Sequence, residues 1–229
     1  AELEWKRTII VPGGLAITPL FAVRGDALTI DTSDLIRSEA FRAIGTAGLD
    51  VRWPVLFSTT SATHVLEPVV QIFARNNERY AGELPNEDAQ SFVFDASNLL
   101  ERDKFSGWDR IEGGTRANFA LRYSGTYSNG WSANALFGQS YHLAGQNPFA
   151  SPDLVAVGAY SGLETDTSDF VAAAGLANGR GLSFGARGRF DERTFETRRA
   201  EAEMGYTGTP VSGSLKYAFI QAQPQYGFN

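Results

Sequence analysis

Leu182-Ser183-Phe184-Gly185-Ala186-Arg187-Gly188-Arg189-Phe190-Asp191 is the stretch on which the fold turns. Successive side chains of an extended chain point to opposite faces, so Leu182, Phe184, Ala186, Gly188 and Phe190 share one face, and Ser183, Gly185, Arg187, Arg189 and Asp191 share the other. The segment reads as a strand with one apolar and one wet side. The same alternation places Val211, Leu215, Tyr217 and Phe219 opposite Ser212, Ser214 and Lys216, and Ala117, Phe119, Leu121 and Tyr123 opposite Asn118 and Arg122. Further back, Ala47, Leu49, Val51 and Trp53 oppose Asp50 and Arg52, while Leu66, Val70, Ile72 and Ala74 oppose Glu67, Gln71 and Arg75. The pattern predicts about ten strands, over 3–11, 15–31, 40–56, 63–75, 115–127, 131–142, 163–177, 182–191, 195–207 and 211–223.

The connections alternate in length. Pro12-Gly13-Gly14, residues 57–62, Ser128-Asn129-Gly130, Asn178-Gly179-Arg180-Gly181 and Gly208-Thr209-Pro210 are turn-like, and all fall at one end of the strands. The other end carries loops over 32–39, 76–114 and 143–162 and one short connection near 192–194. The expected fold class is therefore all-β, an antiparallel transmembrane β-barrel fragment of about ten meander strands with short periplasmic turns and long extracellular loops. A soluble sandwich produces the same alternation, so the chemistry of the two faces has to separate them. The apolar face is rich in Ala, Gly and aromatics, with Trp53, Tyr123, Trp131, Tyr141, Tyr206 and Tyr217 near strand ends. The polar face carries mid-strand charges of both signs, Arg24 and Asp26, Asp50 and Arg52, Arg187 and Arg189, and Arg199 with Glu201 and Glu203. Both traits favour a lipid-facing band and a watery lumen over a dry inter-sheet core.

Composition agrees and narrows the function. With 229 residues, 43% hydrophobic and 12% aromatic, the chain has the apolar content to fold. No run reaches the roughly 18–20 apolar residues of a spanning helix. A net charge of −6 argues against a phosphate-tracking nucleic-acid binder, which needs a basic face. The absence of cysteine removes disulfides, thiolate metal sites and cysteine nucleophiles from this stretch. Glu4-Trp5-Lys6-Arg7 already reads as strand, so residues 1–229 are expected to be part of one outer-membrane β-barrel domain, incomplete at both ends.

Enzyme readings find little support. His64 and His142 each sit in a predicted strand, where a hydrogen-bonded structural role is expected. Ser140 and His142 share a strand face, but that spacing does not aim a hydroxyl at a ring nitrogen. Neither Asp166 with Asp169 nor Glu83, Glu87 and Asp88 has EF-hand spacing, and no P-loop or dinucleotide fingerprint occurs. No catalytic residue, cofactor or metal is expected.

Residues 76–116 hold nine Asp and Glu against five Arg and Lys, so a net −4 of the chain's −6 lies in one loop. Such a stretch can be a solvated acidic loop. It is not of low complexity, however. Ser91-Phe92-Val93-Phe94-Asp95 suits a short extended piece, and Asn98-Leu99-Leu100-Glu101-Arg102 a helical turn. Phe105-Ser106-Gly107-Trp108-Asp109-Arg110-Ile111 adds aromatics, a permissive glycine and an Asp-Arg pair, as in a loop folded over something.

From Asn98 to Ile111 the sequence resembles the "NLF-x-x-x-(K/R)-F-S-G-x-D-R-I" segment of the lipopolysaccharide-assembly outer-membrane family LptD, also called organic solvent tolerance protein. Trp5-Lys6-Arg7 with Pro12-Gly13-Gly14 and Thr18-Pro19 resembles the family's strand-turn-strand, and His64-Val65-Leu66-Glu67-Pro68 its "H-x-(L/I)-E-P" strand. Residues 84–91, 113–118 and 136–141 are similar to the alphaproteobacterial branch. The likeness runs from about residue 4 to the end.

The resemblance implies residence in the bacterial outer membrane and three partners: lipopolysaccharide, a plug lipoprotein (LptE-like), and a periplasmic transport bridge reached through an N-terminal domain outside this stretch. Lipopolysaccharide joins anionic sugar to acyl chains, so a protein route must offer the sugar a polar lumen while the acyl chains keep an apolar path. Arg24, Arg52, Arg122, Arg187, Arg189 and Lys216 are expected to form part of that lumenal polar path. Phe105, Gly107, Asp109 and Arg110 are expected to fold inward and help close the extracellular mouth. The alternatives are a passive outer-membrane porin or channel, for which the barrel pattern alone suffices, and a soluble lectin-like β protein.

Overall fold

The computed structural model describes residues 1–29, 39–80, 83–84, 86–88, 92–150 and 160–222. Twelve strands form one antiparallel sheet: β1 (Glu2–Lys6), β2 (Ile9–Ile10), β3 (Ala16–Thr29), β4 (Glu39–Arg52), β5 (Val55–Ser58), β6 (Ala62–Arg75), β7 (Thr115–Tyr127), β8 (Trp131–Ala144), β9 (Phe170–Asn178), β10 (Leu182–Phe190), β11 (Thr197–Thr207) and β12 (Ser212–Ile220). The path runs β1-β3-β4-β6-β7-β8-β9-β10-β11-β12, with β2 also on β3 and β5 also on β6, which is a meander.

Two of the ten expected strands are split, and proline accounts for both breaks. Opposite Arg7 and Thr8, between β1 and β2, stands Pro19, which has no N–H to donate; Arg7 N–H still donates to its carbonyl. Thr8 and Thr18 bridge the gap through their hydroxyls at 2.9 Å. Expected strand 40–56 breaks at Trp53-Pro54, where the Trp53 indole donates to the Gly13 carbonyl of the neighbouring turn. Expected strand 163–177 begins only at Phe170. Gly162 turns the chain at φ +82°, the Glu164 carboxylate gathers the amides of Gly162 and Leu163, and Leu163 is buried. The expected ends at 30–31 and 223 lie outside the described residues.

The register keeps one face polar across the whole sheet. Asp26 faces Arg42, Asp50 faces Gln71, Glu67 faces Arg122, Arg187 faces Glu201, and Glu203 faces Lys216. The opposite face presents Phe21, Val23, Phe119, Phe137, Leu176, Phe184, Leu215 and Tyr217, all exposed. So wide an apolar band is untenable in water and is what a barrel wall turns to lipid. In a sandwich the apolar face would carry a second sheet; among the described residues there is one sheet only. The main buried cluster lies on the other, polar face. There Val69, Ala120 and Val171 of the wall meet Phe94, Leu99, Phe105, Phe149 and Leu163 from the loops.

Candidate functional site: the loop-covered inner face

Three sets of contacts hold loop 76–114 against the inner face. The first is a buried charge cluster around Glu112, which is 0% exposed. Its carboxylate lies 2.5 Å from Arg116 Nε of β7 and 3.9 Å from Arg75 Nη1 of β6, and accepts the Lys104 amide at 3.1 Å. Lys104 Nζ donates to Asn118 Oδ1, Asn118 Nδ2 to Gln71 Oε1, and Gln71 Nε2 to Asp50 Oδ2, so the network runs from the loop across three strands. Asp103 receives the amides of Phe105 and Glu112. Burial, aided by the Glu112 charge, raises the Asp103 carboxyl to about 6. Burial likewise lowers Lys104 to about 8. For Glu112 burial alone would act upward, but Lys104, Arg116 and Arg75 outweigh it and hold the group at about 2.

The second set grips residues 107–109. The guanidiniums of Arg24 (β3) and Arg42 (β4) both donate to the Trp108 carbonyl, and Arg24 lies 4.4 Å over the indole ring. Arg42 also donates to the Asp109 carbonyl at 2.6 Å and pairs with Glu78 and Asp26 at 2.8 Å each. Two carboxylates clamp the chain reciprocally. Asp88 takes the amides of Trp108 and Asp109, and Asp109 takes those of Glu87 and Asp88. Gly107 sits at φ +78° with the Asp88 carboxylate where a Cβ would stand, so only glycine fits.

The third set is aromatic. Phe105, 6% exposed, stacks on Phe149 at 4.4 Å and meets Phe92 at 5.8 Å. Arg110 lies 4.9 Å over the Phe105 ring and donates to the Pro148 carbonyl, while Arg116 lies 5.3 Å over Phe149. Leu99 fills the space left by the missing side chain of Gly138 on β8.

The expected polar-path residues divide into two groups. Arg24 and Arg189 are buried beneath loops, Arg24 under Trp108 and Arg189 against Asp169 and the Ser161 carbonyl. Arg52, Arg122, Arg187 and Lys216 keep more contact with solvent and pair with Asp50, Glu67, Glu201 and Glu203 respectively. Of the loop residues, Phe105 and Arg110 are packed together, whereas Gly107 is exposed and the half-buried Asp109 belongs to the clamp with Asp88; Asp109 and Arg110 turn to different partners rather than to each other. Phe92, Val93 and Phe94 are not strand, and 96–100 make turns. Arg42, Arg75, Asp88, Lys104, Glu112 and Arg116, which secure the loop, were not singled out from the sequence as site residues. Alternation does place Arg42, Arg75 and Arg116 on the polar face, and Glu112 lies only four positions from Arg116, but the loop partners of Arg42 and Arg75 lie at separations no local pattern encodes.

The remaining candidates have structural partners. His64 bonds the Tyr123 hydroxyl and stacks on Phe57, and His142 Nε2 contacts the Gly145 carbonyl. Ser140 Oγ donates to Asn118 rather than to a ring nitrogen. Carboxylates of Asp169, Asp191 and Glu192 converge within 4.8 Å, and they pair with Arg189, Arg198 and Arg193 respectively.

The cluster around Glu112 sets the loop's pH response. Asp103 holds its proton more tightly when docked, so its contribution is full below about 3.8 and lost as pH rises through about 6. Glu112 works in reverse: its contribution is present above about 4.5 and lost as pH falls toward about 2. Protection of residues 99–112 against amide exchange, taken relative to the intrinsic rate at each pH, will therefore be greatest between these limits, and Asp103→Asn will flatten its fall from about 4 to 6. A fall unchanged by that substitution would refute the assignment.

A single antiparallel wall with a lipid-type outer face and a charged inner face filled by its own loop defines the class: a transmembrane β-barrel of the outer-membrane type. The family model described as LptD, LPS transport system D, matches residues 1–229, and the chain belongs to that family. The family name carries a role in lipopolysaccharide transport at the outer membrane. No curated protein gives a match.

Proposed function

We propose that this chain forms part of the wall of a translocon that inserts lipopolysaccharide into the outer leaflet of the bacterial outer membrane. The carrying observation is the division of the inner face. Among the described residues, those of loops 76–114 and 145–169 bury much of it over β3–β8, whereas over β9–β12 a groove of about 500 Å³ stays open. Its inward-facing floor is Ala173, Gly175 and Gly185, and Arg187, Glu201, Glu203 and Lys216 border it. Small residues leave width for a hydrated saccharide, and paired charges of both signs keep that surface wet without trapping a polyanion. On this reading the docked loops close the extracellular mouth, a plug lipoprotein completes the closure, and the periplasmic bridge delivers the lipid. A passive porin would keep its mouth open instead.

The test is surface arrival of newly made lipopolysaccharide in cells carrying Arg187→Ala with Lys216→Ala, at matched barrel levels. Arrival is expected to slow several-fold. Unchanged export would leave these cations as scaffold only and defeat the path.

A further inference from the structure

Phe195 is an unusual residue on the extracellular rim. It lies in the connection 191–196 between β10 and β11, has a left-handed backbone at φ +61°, and is 55% exposed. A bulky side chain seldom adopts that conformation, because its Cβ crowds the following carbonyl. The turn enforces it. Asp191 N–H donates to the Glu196 carbonyl and Phe195 N–H to the Asp191 carbonyl, while the Asp191 carboxylate takes the amides of Arg193 and Thr194.

The result is that Phe195 folds back onto the outer face of the wall. Its ring lies 4.7 Å from Phe170 and 6.2 Å from Phe190, and Phe170 lies 5.5 Å from Phe137. Phe137, Phe170 and Phe190 belong to strands on the lipid-facing side, so Phe195 extends that band beyond the strand ends. The connection is only six residues long and is closed at the strand ends, so it stays at the level of the rim. Arg193, two residues earlier in the same turn, has a side chain that is 82% exposed and pairs with Glu192 at 3.3 Å.

We propose that turn 191–196 is an outer-leaflet anchor: Phe195 seats among the acyl chains of the lipid bordering the barrel, with Arg193 at the aqueous boundary. In water the left-handed backbone would leave more than half of this ring exposed to solvent, although one side of it meets Phe170. In a bilayer the same geometry buries the ring in hydrocarbon and fixes the height of this rim, as interfacial aromatics do.

The stretch 1–229 contains no cysteine, so spin labels on Phe195→Cys, Arg193→Cys and Ala186→Cys report single positions here in a full-length protein otherwise freed of reactive cysteines. In dioleoylphosphatidylcholine vesicles, power saturation with oxygen and a water-soluble nickel chelate measures depth. Ala186, mid-strand on the outer face, supplies the bilayer reference and Arg193 the aqueous one. The oxygen-to-nickel collision ratio at 195 is expected to approach that at 186 and to exceed that at 193 several-fold. A ratio at 195 equal to that at 193, or a label shielded from both reagents, would overturn the anchor. A failed bilayer reference at 186 would count against the lipid-facing wall, and with it the anchor.

Discussion

Glu112→Ala will release loop 76–114 from the inner face while leaving the sheet intact. Glu112 is the carboxylate that pairs with Arg116 and Arg75 beside Lys104, and it is 0% exposed, so its removal leaves cations short of counter-charge in a site shut off from solvent. Removing one partner of a buried pair typically costs about 3–5 kcal/mol, more than the net worth of the pair, because the remaining charge is left uncompensated. The strands keep their ladder hydrogen bonds, so the loop is the part that yields. Trypsin supplies the readout. Lys104 and Arg110 are buried in the docked loop, and the full-length protein in detergent should resist cutting there. The variant should be cut at both positions while the barrel stays folded. A variant as resistant as the parent would show that the cluster does not hold the loop.

Phe105→Ala is the second large effect, and it acts through packing rather than charge. The ring fills the space between Phe149 and Phe92 beneath the Arg110 guanidinium. Truncating a buried phenylalanine typically costs about 3–5 kcal/mol, part from lost transfer energy and part from the cavity left behind. Phe149 comes from loop 145–169, so the change also uncouples the two loops over the inner face. Cells carrying the variant are expected to admit bulky antibiotics that the parent excludes, at equal barrel levels. Unaltered permeability would refute a closing role for this packing. Phe105 adjoins Lys104 in the same docked segment, so the double variant with Glu112→Ala should fall short of the sum of the two singles.

The Leu182–Asp191 alternation reads directly into β10, with Arg187 and Arg189 inward and Phe184 and Ala186 outward. Turns over 128–130 and 179–181 fall where their Asn and Gly residues place them. The prolines that split two strands were visible, but their consequence depended on which residue stood opposite. Pro19 interrupts pairing because register sets it against Arg7, and register is a relation between strands. Expected strand 163–177 was lost to Gly162 and Glu164, whose local hydrogen bonds outcompete extension over 163–169.

The location of the main buried cluster lay beyond local reading. Alternation marks an apolar face, and in a water-soluble protein that face would be the core. Here the apolar face is the outside, and the protein's own core forms on the charged face from Phe94, Leu99, Phe105 and Phe149. By itself the sequence determined the strands, their two faces and the lengths of their connections, because each rests on a period of two or on residues within a few positions. Only the tertiary structure decided which charges are buried. Glu112 finds Arg75, and Arg24 and Arg42 find Trp108, across 37 to 84 positions, and such partners are chosen by sheet register and loop path.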